Sequence, residues 1–265
     1  MPDNDPDIDL AADFALLTDA AKDAGKLALT FSGPRAERWD KPDDQGPVTE
    51  ADLAVDAMLR DRLLNARPDY GWLSEETPDT DNRLGKKRCF IIDPIDGTRS
   101  FIEGSETWAH SLAIAEEGEI VAAAVYLPVK GKLYAAALGR GAHLNDRPLR
   151  VSGREDLDGA RVLAAKPNYD ARHWPRGVPN VSRHYRPSLA YRLSLVAEGR
   201  YDAMLTFRDS WEWDIAAGEL ILREAGAITS TRTGAALRFN NPEPLVDGVI
   251  AAGPALHGRI LDALR

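Results

Sequence analysis

The sequence predicts a mixed α and β protein whose pattern changes near residue 153, and three observations carry that expectation. Apolar residues recur at helical spacing in two long stretches before residue 67. From Ala109 to Val151 the text is β-rich and is punctuated by a Glu-Gly turn and an Asn-Asp turn. Beyond SGRED, helical and extended patterns alternate, which marks an α/β arrangement.

Taken in order, the acidic leader MPDNDPDIDL predicts a short disordered lead-in; a signal peptide would be basic and then apolar. Ile8, Ala12, Ala15, Leu16 and Ala20 mark the apolar side of a first helix over residues 8–31, which stops at SGP. A polar loop, KPDDQGP, follows. VTEADLAVDAMLRDRLLNARPD then predicts a second helix with Thr49 as N-cap and Leu53, Leu59 and Leu63 toward the core. Short strands are expected at YGWLS and CFIID, the second running from Cys89 to Ile92 with Asp93 as its last residue. Pro94 would end the ladder because it has no N–H to donate. Hairpins follow in SLAIAEEGEIVAAAVYLP and KLYAAALGRGAHLNDRPLRV. The remainder reads as a strand at RVLAAKP, a helix at SLAYRLSLVAEG, a strand at YDAMLTF, a helix at DIAAGELILREAG, a strand at GVIAAGP and a terminal helix. The expected division is an N-terminal α+β unit, 1–153, and a C-terminal α/β unit, 154–265.

Composition limits the function classes. The 265 residues are 44% hydrophobic and 28% charged, a globular and soluble balance, with no run near the roughly 20 apolar residues of a membrane span. A formal charge of −9 argues against binding a nucleic-acid polymer, which needs a basic footprint, but not against a small phosphorylated substrate if bound cations invert the local field. The single cysteine, Cys89, excludes an internal disulfide and a multi-cysteine metal site, fits a cytoplasmic location, and reads as a buried hydrophobe beside Phe90. His110, His143, His173, His184 and His257 are scattered without zinc spacing and read as surface or packing residues.

The chemistry lies in the acids. In IIDPIDGT an apolar run that predicts burial ends in Asp93 and Asp96, although a buried carboxylate needs a partner and two of them repel. Asp96-Gly97 alone is an ordinary turn pair, but that leaves Asp93 unexplained. The nucleophilic aspartate of haloacid-dehalogenase phosphatases pairs acids two apart on one strand end. Here they lie three apart across a proline, which suits two acids bending around metal ions. Glu75 and Glu76 follow a second short strand, Thr49 and Asp52 have capping-box spacing, and Asp214 opens a helix. Each has a structural explanation by itself. Together, four segments bring acid to strand ends and helix starts without basic clusters beside them, and oxygen-only ligands point to Mg²⁺.

DPIDGTRSF and WDIAAGELILREAGA, with SEE and PVTEAD upstream, resemble the inositol monophosphatase superfamily of Mg²⁺-dependent, lithium-sensitive phosphomonoesterases, over about residues 10–260. The resemblance implies a five-layer αβαβα sandwich of the inositol monophosphatase and fructose-1,6-bisphosphatase type, and a homodimer. It also implies two or three Mg²⁺ ions held by Glu75, Asp93, the Ile95 carbonyl, Asp96 and Asp214, with Asp93 bridging two of them. Thr98, with Asp52 behind it or through its own hydroxyl, would orient and help deprotonate the attacking water, with Glu75 beside them. The backbone amides around Gly97, Thr98 and Arg99 would meet the phosphate, with Asp214 and Arg192 on the substrate side.

For the substrate, DKPDDQGPVTEADLA and SLAYRLSLVAEG are most similar to the CysQ-type 3′(2′),5′-bisphosphate nucleotidases, where Arg192 would pair with a second phosphate. MLTFRDSWEWD has no glutamate where inositol monophosphatases place one to hold ring hydroxyls, and Glu212 is too close to Asp214 to be it. Adenosine 3′,5′-bisphosphate is therefore the expected substrate, with inositol 1-phosphate next. Histidinol phosphate follows because GTRSF is similar to that branch. A non-catalytic binding or regulatory protein on the same fold is the alternative of a different class.

Overall fold

The chain folds as five stacked layers, helix, sheet, helix, sheet, helix. The computed structural model describes residues 6–31, 33–41 and 46–265; the Asp43-Asp44 pair of the polar loop and the first five residues of the expected disordered leader lie outside these. α1 (Pro6–Ala28) starts inside the expected leader, with a proline at its first position where the missing N–H costs nothing. Its buried stripe is Leu17, Ala20, Ala21, Ala24 and Ala28, while Ala12 and Ala15 face solvent and Asp13 is fully buried in their place. The apolar letters gave the wrong face to the first turns because a polar residue holds the core position.

β1 (Arg38–Asp40) and β2 (Pro47–Thr49) form an antiparallel pair that leads into α2 (Glu50–Ala66). The N-terminus of α2 carries the expected reciprocal cap: Asp52 N–H donates to the Thr49 hydroxyl oxygen, and Thr49 N–H donates to Asp52 Oδ2 at 2.9 Å. Leu59 and Leu63 are fully buried, each contributing about 1.5–3 kcal/mol over an exposed position. Leu53 is 41% exposed, contrary to expectation, because the first turn of α2 overhangs a cleft rather than the sheet.

A seven-stranded sheet follows, in the spatial order β3 (Gly71–Ser74), β4 (Arg88–Asp96), β5 (Ala109–Glu116), β6 (Glu119–Leu127), β7 (Lys132–Ala137), β8 (Ala142–Leu144), β9 (Arg147–Pro148); α3 (Thr98–Ile102) lies between β4 and β5 in the chain. Only the β3–β4 pair is parallel. Alternation sorts its two faces: Phe90, Ile92, Leu112, Ile114 and Ala122 pack under α1 and α2, while Cys89, Ile91, Ala113, Ala123 and Val125 face the other way. β4 does not end at Asp93. It pairs with β5 at Asp93↔Ser111, slips, and pairs again at Asp96↔Ala109, so Pro94 and Ile95 stand opposite His110 alone in a β-bulge. The bulge removes the ladder bond that Pro94 could not have made, so the proline kinks the strand without stopping it.

The second sheet has five strands, from β10 (Arg161–Ala164) and β11 (Ser182–His184), through β12 (Ala203–Thr206), to β14 (Ile228–Ser230) and β16 (Val249–Ala252), in the spatial order β11-β10-β12-β16-β14. α4 (Leu189–Ala197) and α5 (Glu212–Glu224) lie between the two sheets and share one core with Ile91, Val125, Met204 and Ala251. α6 (Pro254–Ala263) covers the far face through Leu256 and Ile260 against Val162, Leu205 and Ile250. β13 (Ser210–Trp211) and β15 (Leu245–Val246) form a small separate pair beside the start of α5. Among the described residues, no helix is long and apolar enough to cross a membrane.

Candidate active site

The ends of β3 and β4 and the starts of α2, α3, α4 and α5 converge on one cleft of about 970 Å³, lined by Glu75, Asp93, Ile95, Asp96, Gly97, Thr98, Arg99, Arg192 and Asp214. Every residue expected to bind metal or substrate thus faces the same space. Asp93, Asp96 and Asp214 each offer a carboxylate oxygen, all within 4.8 Å of one another. The bulge in β4 brings the first two to one side, and the first turn of α5 delivers the third.

The three carboxylates differ in what surrounds them. Asp96 is an N-terminal anchor for α4: its oxygens accept from Ser188 Oγ–H at 2.6 Å, Ala190 N–H at 2.6 Å and Leu189 N–H at 3.3 Å. Burial nevertheless outweighs these bonds and pushes its carboxyl up to about 6. Asp93 Oδ1 is buried with no hydrogen-bond partner among the described residues, and burial reinforced by Glu75, Asp96 and Asp214 pushes Asp93 well above the usual carboxylate range. Asp214, partly open to the cleft, is driven in the same direction by desolvation and then by Asp96 and Glu75. Such a cluster has two stable forms, protonated or cation-bound. An all-oxygen donor set with an orphaned buried oxygen fits a hard divalent cation such as Mg²⁺.

Glu75 stands at the edge of this group. Its Oε1 accepts from the Lys41 ammonium at 2.8 Å, and the same ammonium reaches Glu76 Oε1 at 2.7 Å. Lys41, the lysine of the DKPDDQGP loop, was not expected beside Glu75, because it lies 34 positions away and the β1–β2 pair folds it back. Burial, followed by Glu75, raises Glu76 to about 7. The loop carrying both glutamates is fastened by Asp56 of α2, which accepts from Ser74 Oγ–H at 2.5 Å and Thr77 Oγ1–H at 2.6 Å.

Thr98 begins α3 immediately after Gly97, whose φ of 99° only glycine adopts without strain. The Thr98 hydroxyl lies 3.2 Å from both Asp52 Oδ1 and the Ile95 carbonyl, so its one proton can go to either. The other Asp52 oxygen accepts from Thr49 N–H and Oγ1–H, and burial raises Asp52 to about 6. The cap of α2 and the hydroxyl in the cleft are therefore one hydrogen-bonded chain, with Asp52 behind Thr98, a pairing that the resemblance implied and the spacing within VTEAD and DGT did not.

Arg192 is in the cleft but largely occupied: Nε and one Nη donate to the Arg186 and Pro187 carbonyls, and its guanidinium stacks over Tyr185 at 4.4 Å. Arg99 is exposed at the rim. Glu212 faces away, accepting from the Asn240 and Asn241 backbone and the Asn241 amide, so it secures the loop before β15. Arg208, Asp209 and the stacked pair Trp211 and Trp213, 4.8 Å apart, complete the wall and were not expected.

The chain's similarity to known proteins runs the same way. The model of the inositol monophosphatase family matches residues 9–265. An inositol-1-monophosphatase from Rhizobium meliloti is 37% identical over 216 residues, covering 78% of this chain and 77% of its own. The Nus factor SuhB of Pseudomonas aeruginosa is 36% identical over 88% of each chain. Among solved structures, a Thermotoga maritima IMPase superposes with a TM-score of 0.81 at 27% identity over 96% of each chain. The extragenic suppressor protein SuhB of Bartonella henselae gives 0.81 at 29% identity over 96% of this chain and 98% of its own.

Proposed function

The chain belongs to the inositol monophosphatase family of phosphoric monoester hydrolases, and from that membership we propose that it hydrolyses an inositol monophosphate with Mg²⁺ as the working cation. The observation that carries the reading is the three-carboxylate cluster with its orphaned Asp93 oxygen, opening into the same cleft as the Thr98–Asp52 pair.

Asp93, Asp96 and Asp214 would hold the cation, with Glu75 and the Ile95 carbonyl completing the set. When bound, Mg²⁺ supplies charge neutralisation for the phosphoryl oxygens and a water of lowered pKa. Thr98 would orient the attacking water through its hydroxyl oxygen and relay the water's proton, taking it on Oγ1 as its own passes to Asp52 Oδ1, a carboxylate raised to about 6 by burial and so still free to accept near neutral pH. The free amides at the start of α3, from Gly97 to Arg99, face the phosphate. Arg99, Arg208 and Asp209 at the rim offer donors and an acceptor to ring hydroxyls.

Inositol phosphate replaces adenosine 3′,5′-bisphosphate as the preferred substrate. The similar relatives carry the inositol-1-monophosphatase and SuhB names, and Arg192, the cation assigned to a second phosphate, is mostly spent on loop carbonyls. Inhibition by Li⁺, a homodimer, a cytoplasmic place of action and a division of labour at residue 153 belong to the same proposal. Phosphate release from inositol 1-phosphate, adenosine 3′,5′-bisphosphate, histidinol phosphate and fructose 1,6-bisphosphate, with Mg²⁺ or chelator, tests it. Mg²⁺-dependent turnover led by inositol 1-phosphate is expected, and preference for the bisphosphate nucleotide would overturn the substrate assignment.

A further inference from the structure

One buried polar group next to the carboxylate cluster has no part in the chemistry above. His110, fully buried on β5, is the single residue opposite Pro94 and Ile95 in the β4 bulge. Its Nδ1 lies 2.5 Å from the Pro94 carbonyl oxygen. A carbonyl only accepts, so Nδ1 carries the proton and donates; Nε2 then presents a lone pair, which is buried with no partner among the described residues. Trp108 lies edge-on at 5.5 Å and Tyr126 stacks at 6.5 Å, which fixes the ring plane.

The energetics argue that this histidine is not there to stabilise the fold. An aliphatic side chain would fill the same apolar site without leaving Nε2 unsatisfied, which costs about 1–3 kcal/mol. What the aliphatic residue could not do is bond the Pro94 carbonyl, which the slipped register has removed from the ladder. That carbonyl belongs to the Pro94–Ile95 peptide, between Asp93 and the Ile95 carbonyl. With its carbonyl drawn toward β5, the next carbonyl, Ile95, is left on the cleft side, 3.2 Å from the Thr98 hydroxyl, and Asp93 and Asp96 stay on one side of the strand.

We propose that His110 is a positioning residue for the cation site: its Nδ1–H bond to the Pro94 carbonyl holds the β4 bulge in the shape that presents Asp93, the Ile95 carbonyl and Asp96 together. The inference rests on the metal reading above and adds to it a histidine that touches neither cation nor substrate. Asn at position 110 can place its amide N–H where Nδ1 stands, whereas Gln carries the donor one bond further and Val has none.

The test is titration calorimetry of the full chain with Mg²⁺, alongside Mg²⁺-induced shifts in unfolding temperature. His110→Val and His110→Gln should weaken Mg²⁺ binding about 10-fold or more, the size of effect known for groups that orient metal ligands, and His110→Asn should restore it to within about 3-fold. If His110→Val does not fold, the Gln and Asn pair decides by itself, since both are polar and similar in bulk. Gln binding Mg²⁺ as tightly as the wild type, or Asn as weakly as Gln, overturns the proposal while leaving the metal reading intact. Absence of Mg²⁺ binding by the wild type overturns both.

Discussion

Two groups of buried carboxylates lie on opposite ends of the same sheet, and they are treated in opposite ways. Asp13 on α1 has no solvent exposure, and its oxygens accept from Arg67 Nε at 2.8 Å, Tyr70 Oη–H at 2.8 Å and Arg88 Nη1 at 2.9 Å. Arg88 is itself shared with Glu116 at 2.9 Å and Asp9 at 3.4 Å. Every charge brought inside there has a protein partner. At the other end, among the described residues, Asp93 has an oxygen with no partner, Asp96 accepts from neutral donors, and their neighbours Asp214 and Glu75 carry the same sign. The chain can build a neutralised acid site and does so at Asp13. Its failure to do so at Asp93 is therefore a specification for a cation from outside.

That contrast can be broken from either end. The largest effect is expected for Asp93→Asn, which should lower phosphatase activity by about 10²–10³-fold, the scale for removing a central electrostatic group. Steady-state phosphate release would check it, and near wild-type turnover would remove Asp93 from the ligand set. Asp13→Asn should do the reverse: it leaves Arg88 and Arg67 short of a counter-charge and should cost about 3 kcal/mol in urea unfolding while kcat stays unchanged.

A pH experiment sharpens the comparison further. Burial holds the Asp96 carboxyl near 6, against 3.8 for the free group, and drives Asp93 and Asp214 upward too. The metal-free fold thus keeps protons that the unfolded chain has already released, so these groups make it less stable as pH rises from about 4 through 6. Mg²⁺ must displace those protons, so the stability gained on adding Mg²⁺ should grow across the same window, measured as the difference in unfolding temperature with and without chelator. The smallest effect should come from Arg67→Met: the Arg67 side chain keeps 25% of its exposure, and its loss should cost under about 1 kcal/mol because Tyr70 and Arg88 still donate to Asp13.

Much of this was legible in the sequence because it is local. The Thr49–Asp52 cap, the turn at Gly97 and the acids at Asp93, Asp96 and Asp214 are each fixed by neighbours a few positions away. What was hidden depends on contacts between distant segments. The continuation of β4 past Pro94 needs the slipped pairing with β5, and Leu53 faces the cleft only because the start of α2 overhangs it. Asp96 anchors a helix 92 positions away through Ser188, and no spacing rule announces that. Asp13 broke the apolar pattern of α1 for the same reason, since its partners Arg67, Tyr70 and Arg88 come from three later segments. The substrate was least legible, because the cleft walls at Lys41, Arg208 and Asp209 are assembled from loops.

The cluster at Asp93 is thus built for an external cation and is unfavourable without one. Unfolding temperatures of the wild type and Asp93→Asn, each in chelator and in Mg²⁺, test it most directly. In chelator the variant should be at least as stable as the wild type, since one buried like charge is gone, and Mg²⁺ should raise the wild type while leaving the variant nearly unchanged. A wild type indifferent to Mg²⁺, or a variant several degrees less stable in chelator, would mean that the cluster is not a cation site.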